Sequence, residues 1–129
     1  MIEGLGIDVV NIDRFADSLE RTPQLKSRLF TEREQLLPIT SLAARFAAKE
    51  ALYKALSSGT GLQWHEAEVI NEKSGKPAFI FTGDIADLVD GARVHLSLSH
   101  DAGVASAIVI VRSEEHTSEL QSRQYLVCR

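Results

Sequence analysis

The chain has 129 residues, of which 44% are hydrophobic and 25% charged, as expected of a single globular domain. Its formal net charge of −4 disfavours a general nucleic-acid binder, and no apolar run approaches the roughly 18 residues that span a membrane. The N-terminus lacks a signal-peptide pattern and the single cysteine excludes an internal disulfide, so we expect a cytoplasmic protein whose modest core gains from oligomerisation.

The first element is predicted to be a strand over residues 2–10, which are rich in isoleucine and valine. Asp8 lies inside this strand, although aspartate is depleted from strands in general. A short helix is expected next, capped by Asn11 or Asp13 and ending near Glu20.

The middle of the chain is predicted to be helical. Thr31 and Glu34 have the spacing of a capping box, which opens a short helix. Residues 40–57 show the strongest helical periodicity, with interleaved alanines, and predict one long helix that the following glycines end.

The second half is predicted to consist mainly of strands. The strands cover residues 66–71, 78–82, 94–99 and 103–111, with a short helix at 84–89 and a turn at 100–103. This order of elements indicates an α+β fold in which the long helix packs on a mainly antiparallel sheet. We find no internal repeat.

Three groups of residues carry side chains suited to chemistry. Asp8 in its apolar strand is the first, and the segment 97–101 at a strand end is the third. The second is the segment 45–55, where Glu50 and Lys54 share a helix face because they are four residues apart. Each group alone has an ordinary explanation: local amide hydrogen bonds for the aspartate, a solvated surface pair on the helix, and a structural histidine.

Several familiar sites are disfavoured. Ser99, His100 and Asp101 do not form a hydrolase triad, because three adjacent residues in a turn cannot easily converge their side chains. The sequence lacks Cys/His metal-ligand spacing and a phosphate-binding P-loop. Gly4 and Gly6 are followed by more strand, so they do not form a dinucleotide fingerprint.

Taken together, the blocks resemble the short, single-domain phosphopantetheinyl transferases of the holo-acyl-carrier-protein synthase type. The matching blocks are Gly4–Val10 with Arg14-Phe15, Arg45–Ala51 with Lys54–Leu56, Gly59–Gly61, Gly75–Pro77 and Ser97–Asp101. They occur in the family's order and at about its spacing, and they cover residues 1–111. Ser57-Ser58 departs from the tighter sequence that the family has before the glycines.

The resemblance implies a 4′-phosphopantetheinyl transferase fold with one copy per chain, assembled as a homotrimer with active sites between subunits. It implies that a serine of apo acyl carrier protein attacks the β-phosphate of coenzyme A and that 3′,5′-ADP leaves. The reaction would depend on Mg²⁺ and serve fatty acid biosynthesis. Two alternatives stay open: a trimeric module that binds coenzyme A or a nucleotide without catalysis, and a trimeric structural or interaction protein.

The resemblance also assigns the catalytic and coenzyme A-binding residues. Asp8, Glu50 and Lys54 are the expected catalytic residues, and the two carboxylates are the expected ligands of Mg²⁺, which prefers oxygen. The residues expected at coenzyme A are Arg45, Lys54, Gly59, Gly61, Pro77, Ser99 and His100. The general base stays open, with Glu50 as one candidate.

A docking surface for the acidic carrier protein is expected on the early helices. Arg14 matches a carrier-contacting position of the family. Arg21, Lys26 and Arg28 cluster nearby, where they either extend a basic docking surface or form a solvated face.

The last residues do not fit the domain pattern. Residues 112–129 follow a strand that looks complete, and their polar first part has neither helical nor strand periodicity. The letters RSEEHTSELQS look like a translated sequencing adapter, so we assign residues 1–111 to the transferase domain and 112–129 to a non-native tail. A native disordered tail is the alternative.

Overall fold

The computed structural model describes residues 1–57 and 63–113. Its elements in chain order are β1 (Ile2–Asn11), α1 (Ile12–Arg21), α2 (Gln24–Leu29), a 3₁₀ turn (Glu34–Leu36), α3 (Ile39–Leu56), a second 3₁₀ turn (Trp64–Glu66), β2 (Ala67–Asn71), β3 (Pro77–Phe81), α4 (Gly83–Leu88), β4 (Ala92–Asp101) and β5 (Val104–Ser113). The strands form an antiparallel sheet in the order β1–β5–β4 and a separate antiparallel hairpin of β2 and β3. The predicted α+β class, with a long helix on antiparallel strands, is confirmed.

Helix α3 is the centre of the molecule because small side chains let other elements approach it closely. Its alanines Ala43, Ala47, Ala48 and Ala51 are fully buried, and so is Leu52. A helix that is apolar around most of its circumference must be buried on most sides. The three-stranded sheet covers one side of α3, and the helices and turns of the first half cover much of the rest.

An aromatic cluster joins α3 to its neighbours. Phe46 stacks on Phe15 of α1 with ring centroids 5.0 Å apart, and it lies 5.7 Å from Trp64. Trp64 in turn contacts Tyr53 of α3, with ring centroids 4.6 Å apart. These rings bury a large apolar area, which ties α1 and the second 3₁₀ turn to the helix.

The predicted caps are present. Asn11 rather than Asp13 caps α1, since its side-chain oxygen accepts the backbone N–H of Arg14 at 2.9 Å. Thr31 and Glu34 exchange the two hydrogen bonds of a capping box, at 3.0 and 3.3 Å. The helix opened by that box is a single 3₁₀ turn.

Three features differ most from the sequence-based expectation. Helix α2 was not predicted. Strand β4 runs through Asp101, so the expected turn at 100–103 shrinks to Ala102 and Gly103, both with positive φ. Positive φ at both central residues is the geometry that lets a two-residue hairpin follow the twist of its strands. Strand β5 continues to Ser113, so residues 112 and 113 of the predicted tail pair within the sheet.

Within the described ranges, no helix combines the length and apolar character that crossing a bilayer would require.

Candidate active site

Asp8, Glu50 and Lys54 meet where β1 packs on α3. The ammonium of Lys54 donates to an Asp8 carboxylate oxygen at 3.1 Å and to the backbone carbonyl of Ile7 at 2.8 Å. Asp8 is therefore held by a cation from a helix 46 residues away in sequence. Glu50 lies one helical turn before Lys54, on the same face.

The two carboxylates of this group repel each other. Burial raises the pKa of Glu50, the negative charge of Asp8 raises it further, and Lys54 partly opposes the shift. A half-buried acid that faces a second acid gains from a bound cation, because the cation neutralises both. The side chain of Lys54 is 54% exposed, so this site opens to solvent.

The donor set fits a hard divalent cation. Mg²⁺ is usually bound by one or two carboxylates, with phosphate and water oxygens completing its shell. Asp8 and Glu50 are the two carboxylates of this group that could bind such an ion. Across residues 1–57 and 63–113 there is no cluster of three or more His, Cys, Asp or Glu side chains of the kind that encloses a metal fully.

A second group lines a cavity of about 300 Å³ beside the start of α3. Arg45, Pro77 and His100, three residues expected at coenzyme A, all line it. They come from α3, β3 and β4, so only the fold brings them together. Asn71 and Ser41 also line this cavity, and no sequence pattern pointed to them.

Arg45 has the properties of an anion ligand. It is only 6% exposed, and its Nε has no hydrogen-bond partner among the described residues. Burial lowers the pKa of Arg45, which the charge of Glu34 opposes. A buried donor without a partner is costly, so this Nε would gain from an acceptor.

Ser99, which is also expected at coenzyme A, lies elsewhere. Ser99 is exposed and lies next to His100 on β4, and neighbouring residues of a strand point to opposite faces of the sheet. The cavity beside His100 therefore does not include Ser99. Gly59 and Gly61 lie outside the described residues.

The outer face of the three-stranded sheet is apolar and uncovered along β1 and part of β5. Leu5, Ile7 and Val9 of β1 are 61%, 60% and 63% exposed. Ile7 pairs with Ile108 of β5, which is also exposed, so the patch continues across strands. Contiguous apolar surface of this kind marks an interaction face.

The expected docking arginines are all accessible. Arg14 and Arg21 lie on α1 and Arg28 lies on α2, each with an exposed side chain. Among the residues that the structure describes, these three form no ion pair. Lys26 is half-buried on α2.

Sequence reasoning missed the buried pair of Lys49 and Glu34. Their side chains are each 1% exposed and 2.8 Å apart, and Lys49 also donates to the carbonyls of Leu29 and Trp64. Glu34 additionally accepts the backbone N–H of Val69 at 2.8 Å. The only sequence signal was that Lys49 interrupts the alanine-rich face of α3.

Comparison with known proteins gives a consistent result. Residues 4–109 match the family model of the 4′-phosphopantetheinyl transferase superfamily. A holo-[acyl-carrier-protein] synthase of Streptomyces avermitilis is 58% identical over 118 residues, which cover 84% of this chain and 96% of that protein. One of Leifsonia xyli is 50% identical over 117 residues, covering 88% of this chain and 99% of that protein.

Solved structures of the same kind of enzyme share the fold. The holo-[acyl-carrier-protein] synthase of Neisseria meningitidis superposes with a TM-score of 0.78 at 30% identity, covering 88% of this chain and all (100%) of that one. The one of Bacillus anthracis, in complex with CoA (3′,5′-ADP), has a TM-score of 0.73 at 34% identity and covers 88% and 98%.

Proposed function

The chain belongs to the 4′-phosphopantetheinyl transferase superfamily, and we propose that Asp8, Glu50 and Lys54 carry its reaction. It transfers the 4′-phosphopantetheine group of coenzyme A to a serine of apo acyl carrier protein and releases 3′,5′-ADP. The observation that supports the assignment is the contact of Lys54 with Asp8. It places reactive side chains of β1 and α3 next to each other.

Asp8 and Glu50 would hold Mg²⁺. A bound Mg²⁺ supplies positive charge to the diphosphate of coenzyme A as its phosphorus–oxygen bond breaks. The two carboxylates come from separate elements, so they would fix the position of the cation as well as neutralise its charge.

Lys54 would stabilise the negative charge that develops on the phosphate groups. Its ammonium is anchored at Asp8, yet more than half of the side chain is exposed. A fixed cation beside a developing anion lowers the barrier without reorganisation at the moment of reaction.

The nucleotide end of coenzyme A would occupy the cavity of Arg45, Pro77 and His100. Arg45 and His100 both line this cavity, and the guanidinium and the imidazole ring would donate to phosphate oxygens there. We also propose that Gly59 and Gly61 allow the protein backbone to approach coenzyme A closely, because they have no side chain.

Assembly as a homotrimer would complete the site. A second copy on the apolar outer face of the sheet would bury Leu5, Ile7 and Val9 and supply area that this small core lacks. Ser99 lies on that same face, so its proposed contact with coenzyme A would come at a site between subunits. Since the carrier protein and coenzyme A are soluble metabolic partners, we place the reaction in the cytoplasm and in fatty acid biosynthesis.

The carrier protein would dock on α1 and α2. Carrier proteins are acidic, and the exposed Arg14, Arg21 and Arg28 offer positive charge on an enzyme whose net charge is −4.

The transferase domain would end with β5. The relatives of Streptomyces avermitilis and Leifsonia xyli are matched over 96% and 99% of their length by only 84% and 88% of this chain. This supports a tail that the domain does not need, close to the predicted 112–129. We expect a chain truncated after Ser113 to keep full transfer activity, and size-exclusion chromatography of both forms shows whether the tail causes aggregation.

The proposed function is tested by the mass of the product. The full chain is incubated with apo carrier protein, coenzyme A and Mg²⁺, and the carrier protein should gain one phosphopantetheine. Asp8→Ala and Glu50→Ala should each abolish this gain while circular dichroism stays unchanged. Wild-type turnover by either variant would remove that residue from the reaction centre, and no gain despite bound coenzyme A would favour a binding module.

A further inference from the structure

We propose that Gly6 is a positioning residue that sets the separation of the Asp8 and Glu50 carboxylates, by letting β1 lie directly on the backbone of α3. The inference rests on the proposed cation site. It concerns a residue with no side chain of its own, which acts through the strand that carries Asp8.

The contact between the strand and the helix leaves no space for a side chain. A Cβ built on Gly6 would collide with the backbone carbonyl of Ala51, at 2.8 Å from its carbon and closer still to its oxygen. A Cβ on Gly4 would meet the carbonyl of Ala55 in the same way. Both obstacles are helix backbone, which cannot rotate aside as a flexible side chain would.

The two contacts stay in register because the repeats match. Two residues of a strand advance about 6.6 Å and four residues of a helix advance about 6 Å. Gly4 therefore faces Ala55, and Gly6 faces Ala51 one turn earlier. We call this line of close contact through Gly4 and Gly6 the seam. The next residue along it on the inner face of β1 is Asp8.

This register places the Asp8 carboxylate beside the face of α3 that carries Glu50 and Lys54. Glu50 directly precedes Ala51, and Lys54 directly precedes Ala55. The strand thus lies over Ala51 and Ala55 while its first inner side chain after the glycines reaches Lys54 at 3.1 Å. Any side chain at position 6 would push β1 outward and draw Asp8 away from Glu50.

The test measures binding of Mn²⁺, as a probe of the Mg²⁺ site, by the electron paramagnetic resonance signal of the free ion. Displacing a group that orients a metal ligand weakens metal affinity by about tenfold or more. We expect that loss for Gly6→Ala. The matched control is Gly4→Ala, which has the same collision farther from Asp8 and should therefore lose clearly less affinity than Gly6→Ala.

Compensation separates positioning from general damage. Asp8→Glu alone should weaken Mn²⁺ binding about tenfold, because the extra methylene moves the carboxylate from the position that the close contact of β1 with α3 gives it. In the Gly6→Ala background the same change should recover most of the loss, since the extra methylene spans the widened gap. In the Gly4→Ala background it should recover nothing.

The outcomes distinguish this inference from the proposed function. If wild type does not bind Mn²⁺, or Asp8→Ala binds it as well as wild type, the cation site itself is wrong and the inference falls with it. If wild type binds and Asp8→Ala does not, but Gly6→Ala binds normally, only the role of Gly6 is overturned. If Gly6→Ala does not fold, Asp8→Glu keeps the inference falsifiable: unchanged Mn²⁺ affinity in that variant overturns it, because the position of the carboxylate would then not matter.

Discussion

Two lysines of α3, five positions apart, form ion pairs in opposite surroundings. Lys49 is 1% exposed and donates to Glu34 and to the carbonyls of Leu29 and Trp64, at 2.8, 3.0 and 2.9 Å. Lys54 is 54% exposed and donates to Asp8 and to the carbonyl of Ile7. The residue types are the same, but the first pair is enclosed by protein and the second is open on one side.

The difference teaches which pair can take part in a reaction. An ammonium has three hydrogen-bond donors, and Lys49 has three protein acceptors for them. It cannot meet a substrate without leaving a carboxylate buried and unpaired. Lys54 keeps an exposed side, and its acid partner belongs to a pair of carboxylates that gains from added positive charge. We therefore assign Lys49 to the fold and Lys54 to the chemistry.

The largest expected effect breaks the buried pair. Lys49→Met removes the cation beside Glu34, and an uncompensated buried charge costs about 3–5 kcal/mol of folding free energy. Urea denaturation at fixed protein concentration measures this loss. A loss below about 1 kcal/mol would show that the pair does not anchor the helix.

The same substitution at the open pair should separate activity from stability. We expect Lys54→Met to reduce transfer about a hundredfold, because a fixed cation near the phosphates is lost. Its free energy of unfolding should change by no more than about 1 kcal/mol, as for other exposed ion pairs. Lys73→Met, an exposed lysine between β2 and β3, is the matched control and should change neither quantity. Normal transfer by Lys54→Met would contradict the assignment.

A third kind of cation, exposed and without an ion pair among the described residues, should affect only the encounter with the carrier protein. We expect Arg14→Ala to raise the KM for apo carrier protein about fivefold and to leave the KM for coenzyme A unchanged. The effect should shrink with added salt, since screening weakens attraction between exposed charges. A large loss of coenzyme A affinity with normal carrier binding would move Arg14 to the other substrate.

The smallest expected effect is on the pH dependence of stability, and it comes from Glu50 beside the open pair. The pKa of Glu50 is raised above its ordinary value of 4.5, so the folded state holds this proton at pH values where the unfolded state has lost it. Without divalent cation, the free energy of unfolding should therefore fall as the pH rises from about 4.5 through the raised pKa. Glu50→Gln should remove that fall. Denaturation of wild type and Glu50→Gln at several pH values measures this fall in the free energy of unfolding. Parallel pH profiles of the two proteins would show that folding does not raise the pKa of Glu50.

Much of the local structure was predictable from the sequence. The strand at residues 2–10, the capping box of Thr31 and Glu34 and the long helix at 40–57 all occur, with ends shifted by one residue or a little more. These signals depend on residues within about one helical turn of each other, or on alternation along a strand. The motif blocks likewise indicated the family from the sequence alone.

The environment of each side chain was decided only by tertiary structure. Lys49 and Lys54 look alike in the sequence, and their partners lie 15 and 46 residues away. The sequence alone determined the periodicity of the helix and strand and the residue types available for chemistry. Packing decided which lysine is enclosed, that Ser99 points away from His100, and that glycines admit the strand to the helix backbone. Burial and close approach depend on atoms brought together from distant parts of the chain, and no local pattern encodes them.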